Sequence, residues 1–217
     1  MSFKNKNVQN PHGICSCSDE SRCGNCGQSK ELNCRFNYKG LLQFYLIFLP
    51  FLIFSLIGVR EAGYSSFIKG WGVMAIVFFG FWEIYILCSH CPYYARKGFT
   101  LKCLANHGCP KFWKYNPGPI GSFKKAQLII GFIAMGGYPF IFMALGNQPL
   151  YFVLSLAGLM FFFGALLRFK CTRCINFSCF FNRVPKELAD DYIIKNPVMK
   201  EAWEKAGYRF DKGNNRN

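Results

Sequence analysis

The chain has 217 residues, and its 26 Lys and Arg against 11 Asp and Glu give a net charge of +15. No nucleic-acid-binding motif accompanies this charge, so we expect no nucleic acid among the partners. Hydrophobic residues make up 52% of the chain and concentrate in four runs that are nearly free of charge, which excludes an ordinary soluble domain.

Residues 1–40 form a polar, cysteine-rich segment ahead of the first apolar run. It lacks the charged, apolar and small-residue regions of a cleaved signal, so we expect the first run to stay in the mature protein. Its stretch "CSCSDESRCGNCG" ends in Cys-x-x-Cys-Gly, and over residues 23–27 it resembles the metal knuckle of zinc ribbons and rubredoxins. The resemblance implies a small metal-bound lobe, zinc rather than iron, with a disordered tail as the alternative. The candidate ligands of this second metal site are Cys15, Cys17, Cys23, Cys26 and Cys34.

The four apolar runs each have a length that suits a membrane span. A helix rises 1.5 Å per residue, so about 20 residues cross the roughly 30 Å hydrocarbon core. The only charged residue within the runs is Glu83, and buried helices of soluble proteins are usually shorter and more polar on one face. The sequence therefore predicts an all-α integral membrane protein with four spans: Leu41–Val59, Gly70–Cys88, Ala126–Leu145 and Pro149–Leu167.

The distribution of basic residues predicts the orientation in the membrane. Residues 1–40 carry six Lys and Arg, residues 89–125 carry seven with no acidic residue, and the tail from Arg168 carries eleven. The connections on the other side carry only Arg60 and Lys69. By the positive-inside rule, both tails and the middle loop are expected in the cytosol. The predicted location is the inner or plasma membrane, with both termini cytosolic.

The chain divides into two halves of similar layout. The second run ends "EIYILCSHC" and the fourth ends "LLRFKCTRC", so each half ends a membrane helix in Cys-x-x-Cys. We predict two tandem helical hairpins, residues 41–88 and 126–167. A cytosolic cysteine-rich loop (89–125) separates them, and a cytosolic cysteine-bearing tail (168–217) follows. The cysteine-rich cytosolic parts are predicted to form a metal-binding lobe.

The C-terminal tail carries two helix patterns. "PKELADDYII" begins with Pro185, and "NPVMKEAWEKAGY" places Pro197 after a candidate cap, Asn196. Proline suits the first turn of a helix, and apolar residues recur along one side of each segment. We predict two short helices that cover the cysteines or offer a docking face.

Seven cysteines lie at or after the cytosolic ends of the second and fourth runs. In a reducing compartment, such clustering favours metal binding or redox chemistry over structural disulfides. Haem is not expected, because the three histidines lie outside the spans and no Cys-x-x-Cys-His occurs. The predicted ligands of the main site are Cys88, Cys91, Cys103, Cys109, Cys171, Cys174 and Cys179.

The sequence leaves the grouping of these cysteines open. Thiols at i and i+3 of a helix share one face, so two neighbouring parallel helices would gather both Cys-x-x-Cys pairs into one four-thiolate site. The other three cysteines would then need a fourth ligand from His90, His107 or Cys34. In the alternative, the first four cysteines share one site. The last three then form a second site, whose open position would bind substrate.

Iron–sulfur is preferred to zinc at the main site. Both accept four thiolates, and spacing rarely separates them. Cys91 and Cys109 are each followed by proline, as the last ligand is in many ferredoxin motifs. Basic residues nearby would offset thiolate charge, and aromatic residues would exclude water and so tune the cluster potential.

Glu83 lies inside the second span, five residues before Cys88. Intramembrane carboxylates are costly, and they are usually paired or functional. One interpretation is a proton acceptor beside a lipid-soluble redox partner such as a quinone. The other, slightly preferred, is an ion pair with Arg168 at the matching end of the fourth span.

The sequence favours an integral membrane protein that transfers electrons at the cytosolic membrane face. Its expected partners are the membrane and a redox subunit or quinone. One alternative is a scaffold or adaptor stapled by zinc without redox activity, and another is a thiol oxidoreductase that uses Cys-x-x-Cys directly. No Ser/His/Asp arrangement, phosphate loop or carboxylate pair specifies another reaction, so the sequence leaves open whether the chain is an enzyme.

Overall fold

A computed structural model describes residues 26–96, 98–103 and 105–210, and these are mainly helical. No strand forms within those ranges, where an isolated antiparallel bridge joins Thr100 to Pro110. Four helices are long and apolar enough to cross a membrane, which confirms the predicted number of spans. In chain order the helices are α1 (Gln28–Glu31), α2 (Tyr38–Glu61), α3 (Ser65–His90), α4 (Ser122–Leu145), α5 (Pro149–Arg173), α6 (Lys186–Ile194) and α7 (Pro197–Lys205).

The membrane helices extend beyond most of the predicted bounds. Helix α2 begins three residues before Leu41, where the Asn37 side chain accepts a hydrogen bond from the backbone N–H of Gly40. An asparagine in this position satisfies one of the unpaired N–H groups at a helix start. Helices α3 and α5 continue into the Cys-x-x-Cys segments. An apolar run shows only which part of a helix can lie in the hydrocarbon core of the membrane. The helix itself is defined by backbone hydrogen bonds, and these continue beyond the apolar run.

The most extensive contact between membrane helices joins α2 to α5. The ring of Phe162 lies 5.5 Å from that of Phe44 and 5.1 Å from that of Phe48, both from α2. At one end of the pair, Lys170 Nζ donates to Gln43 Oε1 over 2.9 Å. This contact joins the first helix of one predicted hairpin to the second helix of the other, so the tandem-hairpin arrangement stays a prediction.

Gly158 allows α5 to approach α2 closely. A Cβ atom at this position would lie 2.8 Å from the backbone nitrogen of Phe51 and 2.9 Å from its Cα. Membrane helices often use small residues at such contacts, because backbones can approach there without a side chain between them.

Gly158→Ala should therefore destabilise the helix bundle by about 1–3 kcal/mol, since the atom in the way is backbone and cannot rotate aside. Thermal unfolding in detergent would measure the loss. Gly164→Ala is a matched control in the same helix, because a Cβ there meets nothing within 4 Å. Equal stability of the two variants would contradict the role given to Gly158.

The two predicted C-terminal helices are confirmed as α6 and α7. They pack on the segments that border the membrane helices. Tyr192 of α6 and Trp203 of α7 belong to one buried core with Cys34 and Cys91. The indole N–H of Trp203 donates to the carbonyl of Pro117 over 3.0 Å, which fixes α7 on the middle loop. The C-terminal helices thus cover part of the cysteine-bearing region, as the sequence predicts.

Candidate functional site

The two Cys-x-x-Cys elements share one local conformation. Each first cysteine opens a 3₁₀ turn, Cys88–His90 in one half and Cys171–Arg173 in the other. Each second cysteine is extended, with φ −85° and ψ 137° at Cys91 and φ −79° and ψ 128° at Cys174. The expectation that both thiols of a pair sit on a regular α-helix is therefore corrected. Pro92 contributes to the difference, because the residue before a proline favours extended backbone.

Each of these helices also contains a π-helical turn before its cysteines. The turns span Phe78–Trp82 in α3 and Leu166–Lys170 in α5. Turns of this kind are rare in proteins, and those that occur are frequently found at functional sites. The turn in α3 ends immediately before Glu83. The shared 3₁₀ and π elements extend the likeness of the two halves beyond the sequence.

The segments that follow the two membrane helices pack together. Cys91 and Ile175, the residue after Cys174, belong to one buried core, and Cys103 packs against it. Burial raises the pKa of the Cys91 thiol well above its usual value. The second cysteines of the two pairs therefore border one packed region, although they lie 83 positions apart in the chain.

Burial dominates the ionisation of the other thiols that follow the spans. It raises the pKa of Cys103 to about 12 and that of Cys179 to about 12, and Cys174 contributes to both. It also raises the pKa of Cys174 itself. Burial thus opposes ionisation of all three thiols.

Asn106 contacts several of the predicted groups, and sequence reasoning missed it. Its side-chain Nδ2 donates to Glu83 Oε2 over 2.9 Å and to Cys88 Sγ over 3.2 Å. Its backbone nitrogen donates to Cys103 Sγ over 3.1 Å, and its carbonyl accepts from the backbone N–H of Cys109. A single asparagine in a loop carries no pattern that would have identified it.

Glu83 is buried, with 5% of its surface exposed, and its carboxylate faces Asn106. Arg168, the predicted partner, is exposed. Among the described residues, no ion pair joins the two. The structure thus places the carboxylate beside the cysteines and not beside the arginine.

The remaining predicted cysteines of the main site lie around this centre. Cys109 packs in a small core with Cys88. Cys171 is half-buried, and its carbonyl accepts from the backbone N–H of Arg183 over 3.0 Å. Cys179 borders a cavity of about 230 Å³. Apart from Cys179, that cavity is lined by Phe177, Asn182, Val184, Lys186, Ala189, Ile193, Trp203 and Tyr208.

The residues considered as extra ligands have other contacts. His90 Nδ1 lies 2.7 Å from the carbonyl oxygen of Gly118, and the His107 ring stacks on Phe36 at 4.5 Å. Cys34 is 3% exposed and packs in the same core as Cys91. Cys26 is half-buried. The other predicted cysteines of the N-terminal site lie outside the described residues: Cys15, Cys17 and Cys23.

Within residues 26–96, 98–103 and 105–210, no three His, Cys, Asp or Glu side chains are placed closely enough to hold a metal ion. All nine cysteines in those ranges are free thiols. The metal-binding character of the region therefore stays a prediction. No known protein family matches the chain, and no significant match was found among curated proteins or solved structures.

Proposed function

We propose that the chain is an integral membrane protein that binds an iron–sulfur cluster through cysteines at the cytosolic face of the inner or plasma membrane. It transfers electrons between a soluble donor and a membrane partner, either a redox subunit or a quinone. The bound cluster would supply one-electron chemistry at the depth where the membrane helices end. Both termini lie in the cytosol in this proposal, in line with the basic residues of both tails and the middle loop.

One observation supports the proposal most directly: the cysteine-bearing segments of the two halves pack into one core. Cys91 follows α3 and Cys174 follows α5, and Ile175, the residue after Cys174, shares a buried core with Cys91, against which Cys103 also packs. Bringing thiols together without a disulfide has no evident benefit for a hydrophobic core. Shared binding of a cation gives a physical reason for the arrangement, because metal binding displaces the thiol protons.

The surroundings suit a cluster that is shielded from water. Cys91 is only 8% exposed and lies in an apolar core with Tyr93, Ile175 and Trp203. Burial and hydrogen bonds to sulfur are the means by which proteins set the potential of an iron–sulfur cluster. The contacts of Asn106 with two of the sulfurs are of this kind.

The thiol oxidoreductase alternative is less well supported. A reactive cysteine needs a lowered pKa and access to its substrate. Cys91 meets neither condition, because its side chain is buried and its pKa is raised. A Cys-x-x-Cys disulfide exchange at this position would require the cover of α6 and α7 to open.

A zinc-stapled scaffold remains the second candidate, and one observation favours it. The core around Cys91 joins three distant segments: the N-terminal segment at Cys34, the middle loop and the C-terminal helices. The backbone N–H of Asn33 also donates to the carbonyl of Arg173 over 2.8 Å. A structural metal commonly holds such segments together in small domains.

Anaerobic purification of the full chain distinguishes the three candidates. We expect a brown protein that contains iron and acid-labile sulfide and gives an EPR signal in one redox state. Stoichiometric zinc without colour would replace the electron-transfer proposal by the scaffold. A metal-free protein with reversible disulfides would replace both by the thiol enzyme.

A further inference from the structure

We infer that part of the middle loop is inserted in the headgroup region of the bilayer, with Phe99 and Phe112 reaching the acyl chains. These two rings and the ring of Phe81 from α3 form one exposed surface, which we call the loop face. Its partner is a membrane leaflet that contains anionic phospholipid. The inference requires that the chain lies in a membrane, but it does not depend on a bound metal.

The loop folds into a short antiparallel hairpin. The backbone N–H of Lys111 donates to the carbonyl of Phe99 over 2.7 Å, and that of Leu101 donates to the carbonyl of Cys109 over 2.8 Å. The N–H of Gly108 donates to the carbonyl of Leu101 over 2.9 Å. Backbone groups that are paired in this way can enter the edge of a bilayer, where unpaired groups would be costly.

The hairpin lies along a membrane helix. Leu101 is 1% exposed and packs with Ile84 of α3 in a small buried core. The ring of Phe112 stacks on that of Phe81, with 5.5 Å between the centroids and 1° between the planes. Phe81 lies seven residues before Cys88, which corresponds to about 10 Å along a helix axis. The hairpin therefore extends beside α3 towards the middle of that helix.

The three rings of the loop face are exposed. The exposed fraction is 66% for Phe99, 53% for Phe112 and 46% for Phe81. Phe99 meets Phe112 edge-on, with 6.2 Å between the centroids, so the rings form one continuous surface. A contiguous apolar patch of this kind marks an interaction site. Because Phe81 belongs to a membrane helix, the patch continues the exposed apolar surface of α3, and this favours lipid over a soluble protein as its partner.

The charge of the region suits an anionic lipid. Lys102 and Lys114 are exposed in the loop, and residues 89–125 contain no acidic residue. Lys124 at the start of α4 places its Nζ 4.5 Å from the centroid of the Tyr85 ring of α3. Apolar rings next to lysines are typical of segments that lie in the membrane interface, where the lysines attract anionic headgroups.

The hairpin backbone and the rings occupy different depths. Backbone outside helices is not exposed to hydrocarbon in membrane proteins, whereas apolar side chains of interfacial segments reach the acyl boundary. The hairpin therefore lies among the headgroups, and Phe99 and Phe112 extend further. The hydrocarbon core then ends near Phe81, which places Cys88 outside it.

Photo-crosslinking of the full chain in vesicles tests the insertion. A photoreactive benzoyl-phenylalanine replaces Phe99 or Phe112, and the protein is reconstituted in phosphatidylcholine vesicles with or without phosphatidylglycerol. We expect phospholipid adducts at both positions, detected by mass spectrometry, with a higher yield when phosphatidylglycerol is present. The same group at Ile133, exposed on α4, is the positive control, and at Lys205, exposed on α7, it is the negative control.

The controls separate failure of the inference from failure of the protein to insert. Adducts at Ile133 without adducts at Phe99 and Phe112 would overturn the inference. Cross-links from these two phenylalanine positions to a second copy of the chain, in place of lipid, would also overturn it. The proposed function would survive both results, since it depends on the metal.

A charge variant tests the anionic headgroup separately. Lys102→Gln combined with Lys114→Gln should abolish the extra yield that phosphatidylglycerol gives at Phe99. Lys200→Gln combined with Lys205→Gln, a matched change on α7, should retain it. Equal yields in the two kinds of vesicle, or a full increase in the loop variant, would overturn the assignment of an anionic lipid.

Discussion

Glu83→Gln is expected to slow electron transfer to a quinone by roughly 10²-fold or more, the usual effect of removing a proton-transfer group. Reduction of a quinone to a quinol takes up two electrons and two protons. Glu83 is a buried carboxylate in the membrane helix that leads to the cysteines. Asn106 connects it to Cys88 and Cys103 through direct hydrogen bonds. The carboxylate is thus placed where protons would be needed beside the proposed electron carrier.

The variant is chosen to keep the structure of the site. A glutamine oxygen can still accept the hydrogen bond from Asn106, whereas the amide cannot carry a proton in the same way. The measurement is the rate at which protein reduced by dithionite converts a short-chain quinone, followed across pH. We expect a slower rate and a flatter pH profile for Glu83→Gln. The control is Glu61→Gln, since Glu61 is exposed at the end of α2.

An unchanged rate and pH profile in Glu83→Gln would remove the proton role. Glu83 would then be a positioning residue that fixes Asn106 beside the sulfurs. In that case, Glu83→Ala should alter the spectrum or retention of the metal, because Asn106 would lose one of its acceptors. Glu83→Gln should leave both unchanged.

Trp203→Ala should destabilise the C-terminal cover by about 3–5 kcal/mol, the usual cost of removing a large buried aromatic side chain. The side chain is 6% exposed and packs in the core that contains Cys91. Its ring centroid lies 4.9 Å from that of Tyr208, and its indole N–H donates to Pro117. Removal would leave a cavity and an unpaired carbonyl on the middle loop.

Two measurements check this prediction. Thermal unfolding in detergent gives the loss of stability, and maleimide labelling of Cys34 and Cys91 reports whether the cover opens. We expect faster labelling of both thiols in Trp203→Ala. Val198→Ala, a change at an exposed position of the same helix, should stay within about 0.5 kcal/mol of the wild type. Labelling at the wild-type rate would show that α7 does not protect the thiols.

Most of the outer surface of the four membrane helices is apolar. Between 17% and 39% of the residues in their most apolar windows are buried within the protein. Exposed apolar side chains on every helix suit contact with lipid. This is consistent with an integral membrane protein, while the orientation of the termini stays a prediction.

The sequence by itself determined the four membrane helices and the two C-terminal helices, but not the short helix α1. Runs of about 20 residues that are nearly free of charge, and prolines before apolar periodic segments, act through local rules of backbone and side-chain chemistry. The four spans and the helices α6 and α7 follow from them. The sequence also predicts that Cys88 and Cys171 lie near the ends of spans, because this depends only on where an apolar run stops.

Only the tertiary structure decided which residues meet. The contact of Gly158 with Phe51 joins positions 107 residues apart, and the core shared by Cys91 and Ile175 joins positions 84 apart. Neither of these long-range contacts produces a periodic pattern in the sequence from which it could be predicted. Asn106 is the clearest case, since its amide groups become informative only once the fold places Glu83, Cys88 and Cys103 around them. Local patterns fix secondary structure, whereas contacts between distant segments depend on the packing of the whole chain.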